Sequence, residues 1–202
     1  MSATVPVALS RFFDVGIPYT DYREGHEVKI AREKNLPAEQ QDHYLHYIEL
    51  NLHRTERLDK TFTCSPELLE AMARLKNPLR WLVISEYWCG DAAQNVPALA
   101  AMAKASGGRI DMCIVFRDEN PALTDAFLTN GTRSIPKLIV LNEEGELLGT
   151  WGPRPAAAQQ LVIELKSNPA TAPTYAEQLH LWYARNRCAD LQQEIISLLN
   201  GL

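Results

Sequence analysis

The 202-residue chain has no apolar run near the ~18 residues that a membrane-spanning helix needs, so no membrane association is expected. It also has no excess of positive charge: 20 Lys and Arg face 25 Asp and Glu, a formal charge of −5. Non-specific nucleic-acid binding depends on a basic patch that displaces phosphate counterions, and this balance argues against it. Residues 1–13 lack a positive flank, a long apolar stretch and a small-residue cleavage site, so they do not read as a signal peptide, and a cytoplasmic location is the expectation. Internal repeats and low-complexity tracts are missing as well. What is present is a globular balance, 46% hydrophobic and 22% charged residues. A chain of this length buries about 70% of the surface it exposes unfolded, which is enough to fold without disulfides or metal.

Cysteine pairs at metal-ligand spacing are absent too. Cys64, Cys89, Cys113 and Cys188 are spread along the chain, as free thiols filling apolar space usually are in a reducing compartment. Cys113 fits that reading within Met112-Cys113-Ile114-Val115-Phe116; Cys64 precedes a helix start and Cys188 falls within a helical pattern. Cys89 differs through its surroundings.

The coarse pattern is helical before residue 76. Thr20 is positioned to cap a helix over 21–34, weakened by Gly25. Pro37 suits a first helical position, and Tyr44, Leu45, Ile48 and Leu52 recur at helical spacing to about Arg57. Ser65-Pro66-Glu67 reads as N-cap, first-turn proline and dipole-favourable acid of a helix through Leu75. Leu79–Ser85 reads as a buried strand, 92–105 as a helix, Ile110–Phe116 as a strand and 121–128 as a short helix. Pro136–Leu141 and Glu146–Trp151 are strands joined by the Glu143-Glu144-Gly145 hairpin, and 155–166 is a helix. After the linker 167–173, Thr174-Tyr175-Ala176-Glu177 has the form of a capping box opening one long amphipathic helix to Leu199. Strands separated by helices imply parallel neighbours, and the hairpin adds an antiparallel edge. The fold expected is α/β, a mixed sheet of about four strands with helices on both faces. Helical extensions flank it at 1–58 and 169–202, around a domain at 59–168.

Cys89 follows the first strand and precedes a helix. Main-chain N–H groups at a helix start lack internal partners and carry partial positive charge, so a thiol there can be acidified. Gly90 would let a substrate backbone come close. Trp88-Cys89-Gly90 after a hydrophobic strand, then Arg133-Ser134-Ile135-Pro136-Lys137 before a third strand, then a Glu-Glu-Gly hairpin, resemble the thioredoxin-like superfamily over roughly residues 60–166. The segments 115–121 and 151–155 are similar to a bacterial subgroup known simply as thioredoxin family proteins. By this resemblance Cys89 matches the attacking cysteine. Pro136 matches the family's cis-proline, and Ile135 before it would offer backbone groups to an extended peptide, with Trp88 lining the contact groove.

The sequence also departs from that family. The position of a second, resolving cysteine is Ala92, and that of the family's buried acid is Val83. A dithiol cycle is therefore not expected. Asp91 is a first-turn acid that stabilises the helix, but it also sets a like charge beside the thiolate and raises its pKa. Activation would need a counter-charge, for which Arg117 at the end of the neighbouring strand is the candidate; its alternative is a surface ion pair with Asp118 or Glu119. Arg154, in Trp151-Gly152-Pro153-Arg154-Pro155, is an anion contact or part of a proline-rich structural turn. Asp42, His46, Glu49 and His53 share one helical face, where charged groups are usually solvated rather than metal-bound; His26, His43 and His180 have no evident partners.

The resemblance implies a monothiol oxidoreductase in which Cys89 forms mixed disulfides with protein or glutathione disulfides. It would work without a bound cofactor, an external thiol such as glutathione resolving the intermediate. The rival is a non-catalytic module that keeps the groove for binding, since fold does not guarantee chemistry. An iron–sulfur carrier is disfavoured because glutathione-binding features are not apparent. The sequence does not specify an oligomeric state.

Overall fold

In the computed structural model, residues 9–202 are described; the leader expectation for 1–13 therefore lies mostly outside them. The centre is a four-stranded sheet ordered β2-β1-β3-β4, from β1 (Leu79–Ser85), β2 (Ile110–Phe116), β3 (Lys137–Leu141) and β4 (Leu147–Trp151). β1 is rich in β-branched and aromatic residues and pairs on both edges. Trp81, Leu82 and Val83 are fully buried, and Val83, at the position of the missing acid, is simply core. Burying each such side chain stabilises the fold by about 1.5–3 kcal/mol.

β1 and β2 are parallel, joined by α5 (Gly90–Ala105). β3 follows α6 (Pro121–Ala126) yet runs antiparallel to β1, contrary to the parallel neighbours expected of helix-separated strands. A short helix followed by the 127–136 loop does not carry the chain back along the sheet as a full crossover does. β4 then pairs antiparallel with β3 through the hairpin.

The N-terminal helices are α1 (Arg11–Val15), α2 (Tyr19–Lys34), α3 (Leu45–Thr61) and α4 (Pro66–Ala73). α2 starts one residue before Thr20, whose hydroxyl bonds Asp21 instead of capping. Gly25 is tolerated inside it because a Cβ there would lie 2.5 Å from the Tyr87 hydroxyl; the glycine lets α2 approach the sheet. Pro37 opens only a 3₁₀ turn at Ala38–Gln40, so the helix expected from 37 begins at Leu45. Ser65 does cap α4, its hydroxyl accepting the Leu68 N–H at 3.2 Å.

The C-terminal part corrects two expectations. Thr174 makes no capping bond; its hydroxyl donates to Thr171 O. The single long helix is two, α8 (Tyr175–Asn186) and α9 (Ala189–Asn200), broken where Arg187 and Cys188 take φ of +49° and +62°. α7 (Ala156–Ser167) packs against α8, while α9 packs against α4, so the two halves serve different parts of the molecule. No helix among the described residues is long and apolar enough to cross a membrane.

Candidate functional site

Cys89 is the N-cap of α5, and the turn around it is built as that position requires: extended backbone and a side chain that accepts from the first helical turn. The Ala92 N–H donates to Sγ at 3.4 Å. Across the sheet edge, the thiol donates to the Ile135 carbonyl at 3.3 Å, beside the Ile135–Pro136 peptide, which is cis. The structure thus brings together Cys89, Ile135 and Pro136. All four cysteines are free thiols.

The electrostatics oppose ionisation. Cys89 is 8% exposed. Burial first, and the Asp91 charge second, push its thiol up to about 12, against the pull of the Ala92 and Asp91 N–H groups and Arg154. A resting neutral thiol is also what the Ile135 contact requires, because a thiolate has no hydrogen to give that carbonyl. Burial likewise pushes Cys113 to about 12 and Cys188 to about 11. The helix start alone does not set Cys89 apart.

Asp91 is held from two distant elements. One carboxylate oxygen accepts Arg154 Nη2 in a short ion pair and Arg154 Nε at 3.1 Å, and the other accepts the Tyr183 hydroxyl at 2.7 Å. Asn95 Nδ2 donates both to Tyr183 Oη at 3.1 Å and to the Asp91 carbonyl at 2.8 Å. The counter-charge at this turn is therefore Arg154, not Arg117. Arg117 pairs with Asp118 at 2.8 Å and lays its guanidinium on the Trp88 ring, 4.6 Å from the centroid. The reason is geometric: the end of β2 lies on the Trp88 side of the turn, whereas Asp91 faces the β4–α7 loop and α8. Tyr183 gave no sequence signal beyond an apolar position in an amphipathic pattern; Arg154 gave one, as a cation in a loop at this end of the sheet.

Gly90 is a close-approach glycine, but the approaching group is the chain's own: an added Cβ would meet the His180 ring at 3.0 Å and Arg54 Nη1 at 3.5 Å. The side of Gly90 from which a Cβ would project is therefore covered by α3 and α8. Burial and the neighbouring Arg54 push His180 down to about 4, so it is a neutral imidazole, and Gln94 Nε2 lies 3.3 Å from its Nδ1. Trp88 is stacked by Tyr44 at 5.1 Å as well as by Arg117. Trp88, Gly90, Asp91, Arg54, Arg154 and His180 line a cleft of about 720 Å³ between α3 and α8. The helical extensions thus wall one side of the turn.

Asp42 precedes α3 and so does not share the helical face of His46, Glu49 and His53; Asp42 and Glu49 are engaged in ion pairs with Lys29 and Lys34. Among the described residues, no group of three His, Cys, Asp or Glu side chains is arranged to hold a metal.

A mixed four-stranded sheet with a cysteine at a strand-to-helix turn, facing a cis-proline bend, defines a thioredoxin-fold protein. The sequence profile of the family described as Thioredoxin matches residues 38–166, more than half of the chain, and the protein belongs to the thioredoxin family. A thioredoxin of Rhodospirillum rubrum is 33% identical over 63 residues, 31% of this chain and 57% of that protein, so the chain spans little more than half the length of this curated relative. Among solved structures, a protein of unknown function from Pseudomonas aeruginosa superposes with a TM-score of 0.63 at 19% identity, covering 96% of this chain and 98% of that one. An HIV epitope-scaffold gives a TM-score of 0.57 at 20% identity over 97% and 99%. At these identities the two structures speak for the fold alone.

Proposed function

We propose that the protein is a monothiol thiol–disulfide oxidoreductase working through a mixed disulfide at Cys89. The observation that carries this reading is the position of Sγ, an N-cap acceptor 3.3 Å from the carbonyl that precedes the cis-proline. With Ala92 in the resolving position, the exchange takes two intermolecular steps. The Cys89 thiol loses its proton to solvent base, its sulfur bonds one sulfur of the substrate disulfide, and the other leaves as thiolate. An external thiolate, a glutathione or a protein thiol, then attacks the substrate sulfur and releases Cys89. No net electron is left on the protein. An extended substrate that takes the Ile135 carbonyl as its own acceptor would break the thiol's hydrogen bond and release the sulfur for reaction.

The burial of Sγ and its upward-shifted pKa favour a second reading, a thioredoxin-fold binding module with an idle thiol. Mass spectrometry of the whole protein after exposure to oxidised glutathione separates the two. The half-buried Cys64, whose pKa burial also raises, serves as internal reference. Monothiol exchange predicts glutathionylation at Cys89 faster than at Cys64 and reversal by added thiol. Glutathionylation at Cys64 alone would leave the binding module as the standing account.

A further inference from the structure

A second loop cluster at the same end of the sheet holds a cation that the thiol chemistry does not use. Lys137, the first residue of β3, is 8% exposed, and among the described residues the one side-chain partner of its ammonium is Thr129 Oγ1 at 3.1 Å. Among the described residues no carboxylate lies within ion-pair distance of Lys137, whereas Arg154 and Arg117 each have one. An ammonium buried without a counter-charge is unfavourable by several kcal/mol in general. Burial accordingly pushes its pKa down, with no neighbouring charge to oppose the shift. Lys137 lines a cleft of about 290 Å³ between the 129–137 loop and the 150–159 segment, together with Thr129, Asn130 and Arg154.

The remaining polar groups decide what fits. Glu194 also borders the cleft, but its two oxygens are taken by Trp151 Nε1 at 2.6 Å and the Ala156 N–H at 2.7 Å. All three nitrogens of the Arg154 guanidinium already donate, Nε and Nη2 to Asp91 and Nη1 to Gln159 Oε1, so its charge is committed to Asp91. On the side of the 129–137 loop the donors left over are two ammonium N–H groups, the Thr129 hydroxyl hydrogen and the Asn130 side-chain amide. A compact point charge among neutral donors suits phosphate better than a planar carboxylate, which favours bidentate arginine.

We propose that the Lys137 cleft binds a phosphate group, with Lys137 as its charge anchor and Thr129 and Asn130 as donors. The site is independent of Cys89. Titrating the full chain with inorganic phosphate at constant ionic strength, observed by calorimetry and by the amide resonances of Asn130 and Lys137, should give a saturable response that chloride does not reproduce. Lys137→Arg should retain it. Lys137→Met should weaken it at least about tenfold while melting no lower than wild type in chloride, because an unpaired buried charge has been removed. Cys89→Ser should bind phosphate as wild type does, so failure of thiol exchange leaves this result untouched. Glycerol phosphate run alongside distinguishes the sources of the group. Tighter binding than inorganic phosphate supports a phosphorylated small molecule, and equal binding supports the free ion. A response equal to that in chloride, or an undiminished one in Lys137→Met, overturns the assignment.

Discussion

Two acids flank Cys89 along the chain, and the protein treats them in opposite ways. Asp91, just inside α5, is enclosed by Arg154 and Tyr183, reaching it across 63 and 92 residues of sequence. Glu86, just past the end of β1, is half-buried and among the described residues has a single donor, the Asp118 N–H at 2.9 Å. Burial foremost, with Asp118 and Glu119 nearby, pushes Glu86 up to about 7, although Arg117 pulls the other way. A carboxylate that is paired from several elements acts as a clamp between them; one left with a single N–H becomes a titrating group. The same contrast separates the two faces of the Cys89 turn, one closed by distant helices and the other open to a charged strand end.

The clamp is the place to break this contrast hardest. Arg154→Leu would leave the buried Asp91 with Tyr183 alone, and removing one partner of a buried pair costs about 3–5 kcal/mol. Urea denaturation should register a loss of that order; a loss below ~1 kcal/mol would mean that the pair behaves as an exposed one. The thiol provides a second readout, because Asp91 raises its pKa and Arg154 lowers it. At fixed pH, Cys89 alkylation should slow in Arg154→Leu and quicken in Asp91→Asn, by about tenfold for each unit the pKa moves. Equal rates in the two variants would show that neither charge reaches the sulfur.

Tyr183→Phe tests the other half of the clamp with a smaller effect. It deletes one hydrogen bond to a charged group and leaves Asn95 still bonded to the Asp91 carbonyl, so about 1.5–3 kcal/mol should be lost. Because α8 carries both Tyr183 and His180, loosening it should also uncover Gly90, raising hydrogen exchange at Gly90 and Asp91 while β1 stays protected. Unchanged exchange at the turn would mean that α8 is held by α7 alone.

What the sequence disclosed of this site follows from distance along the chain. The Cys89 turn is local, a strand, a cap and a helix start, and the Ile135–Pro136 bend was reached through resemblance. The four-stranded sheet was legible because each strand is a β-rich run bounded by turn residues. Arg117 sits at the neighbouring strand end, where a counter-charge to the thiol is expected, yet Trp88 and Asp118 occupy it. Arg154 reaches Asp91 from the β4–α7 loop of the same domain, whereas Tyr183 reaches it only after the C-terminal extension has folded back, which no local pattern encodes. The break at Arg187–Cys188 was invisible for a different reason: left-handed backbone usually announces itself as glycine or asparagine, and neither stands there. The antiparallel β3 departs from the strand–helix–strand pattern because the short α6 is no full crossover.

Glu86 sharpens the comparison with the smallest expected effect. An acid whose pKa is higher folded than unfolded binds more protons in the native state, so its contribution is lost as pH rises from about 4.5 to about 7. His26, buried with a ring nitrogen 2.9 Å from Ile48 O, is pushed down to about 4 by burial; between about 4 and 6.5 the unfolded state holds the extra proton, so stability falls as pH drops. His180 acts with the same sign as His26. The two slopes oppose each other in the wild type, and a flat stability profile would conceal both. Glu86→Gln removes one of them. Its stability relative to wild type should improve steadily as pH rises through the Glu86 window and level off above about 7. A stability difference that stays constant across that window would mean that Glu86 is solvated, and that the two acids on either side of Cys89 in the chain differ in their partners but not in their protons.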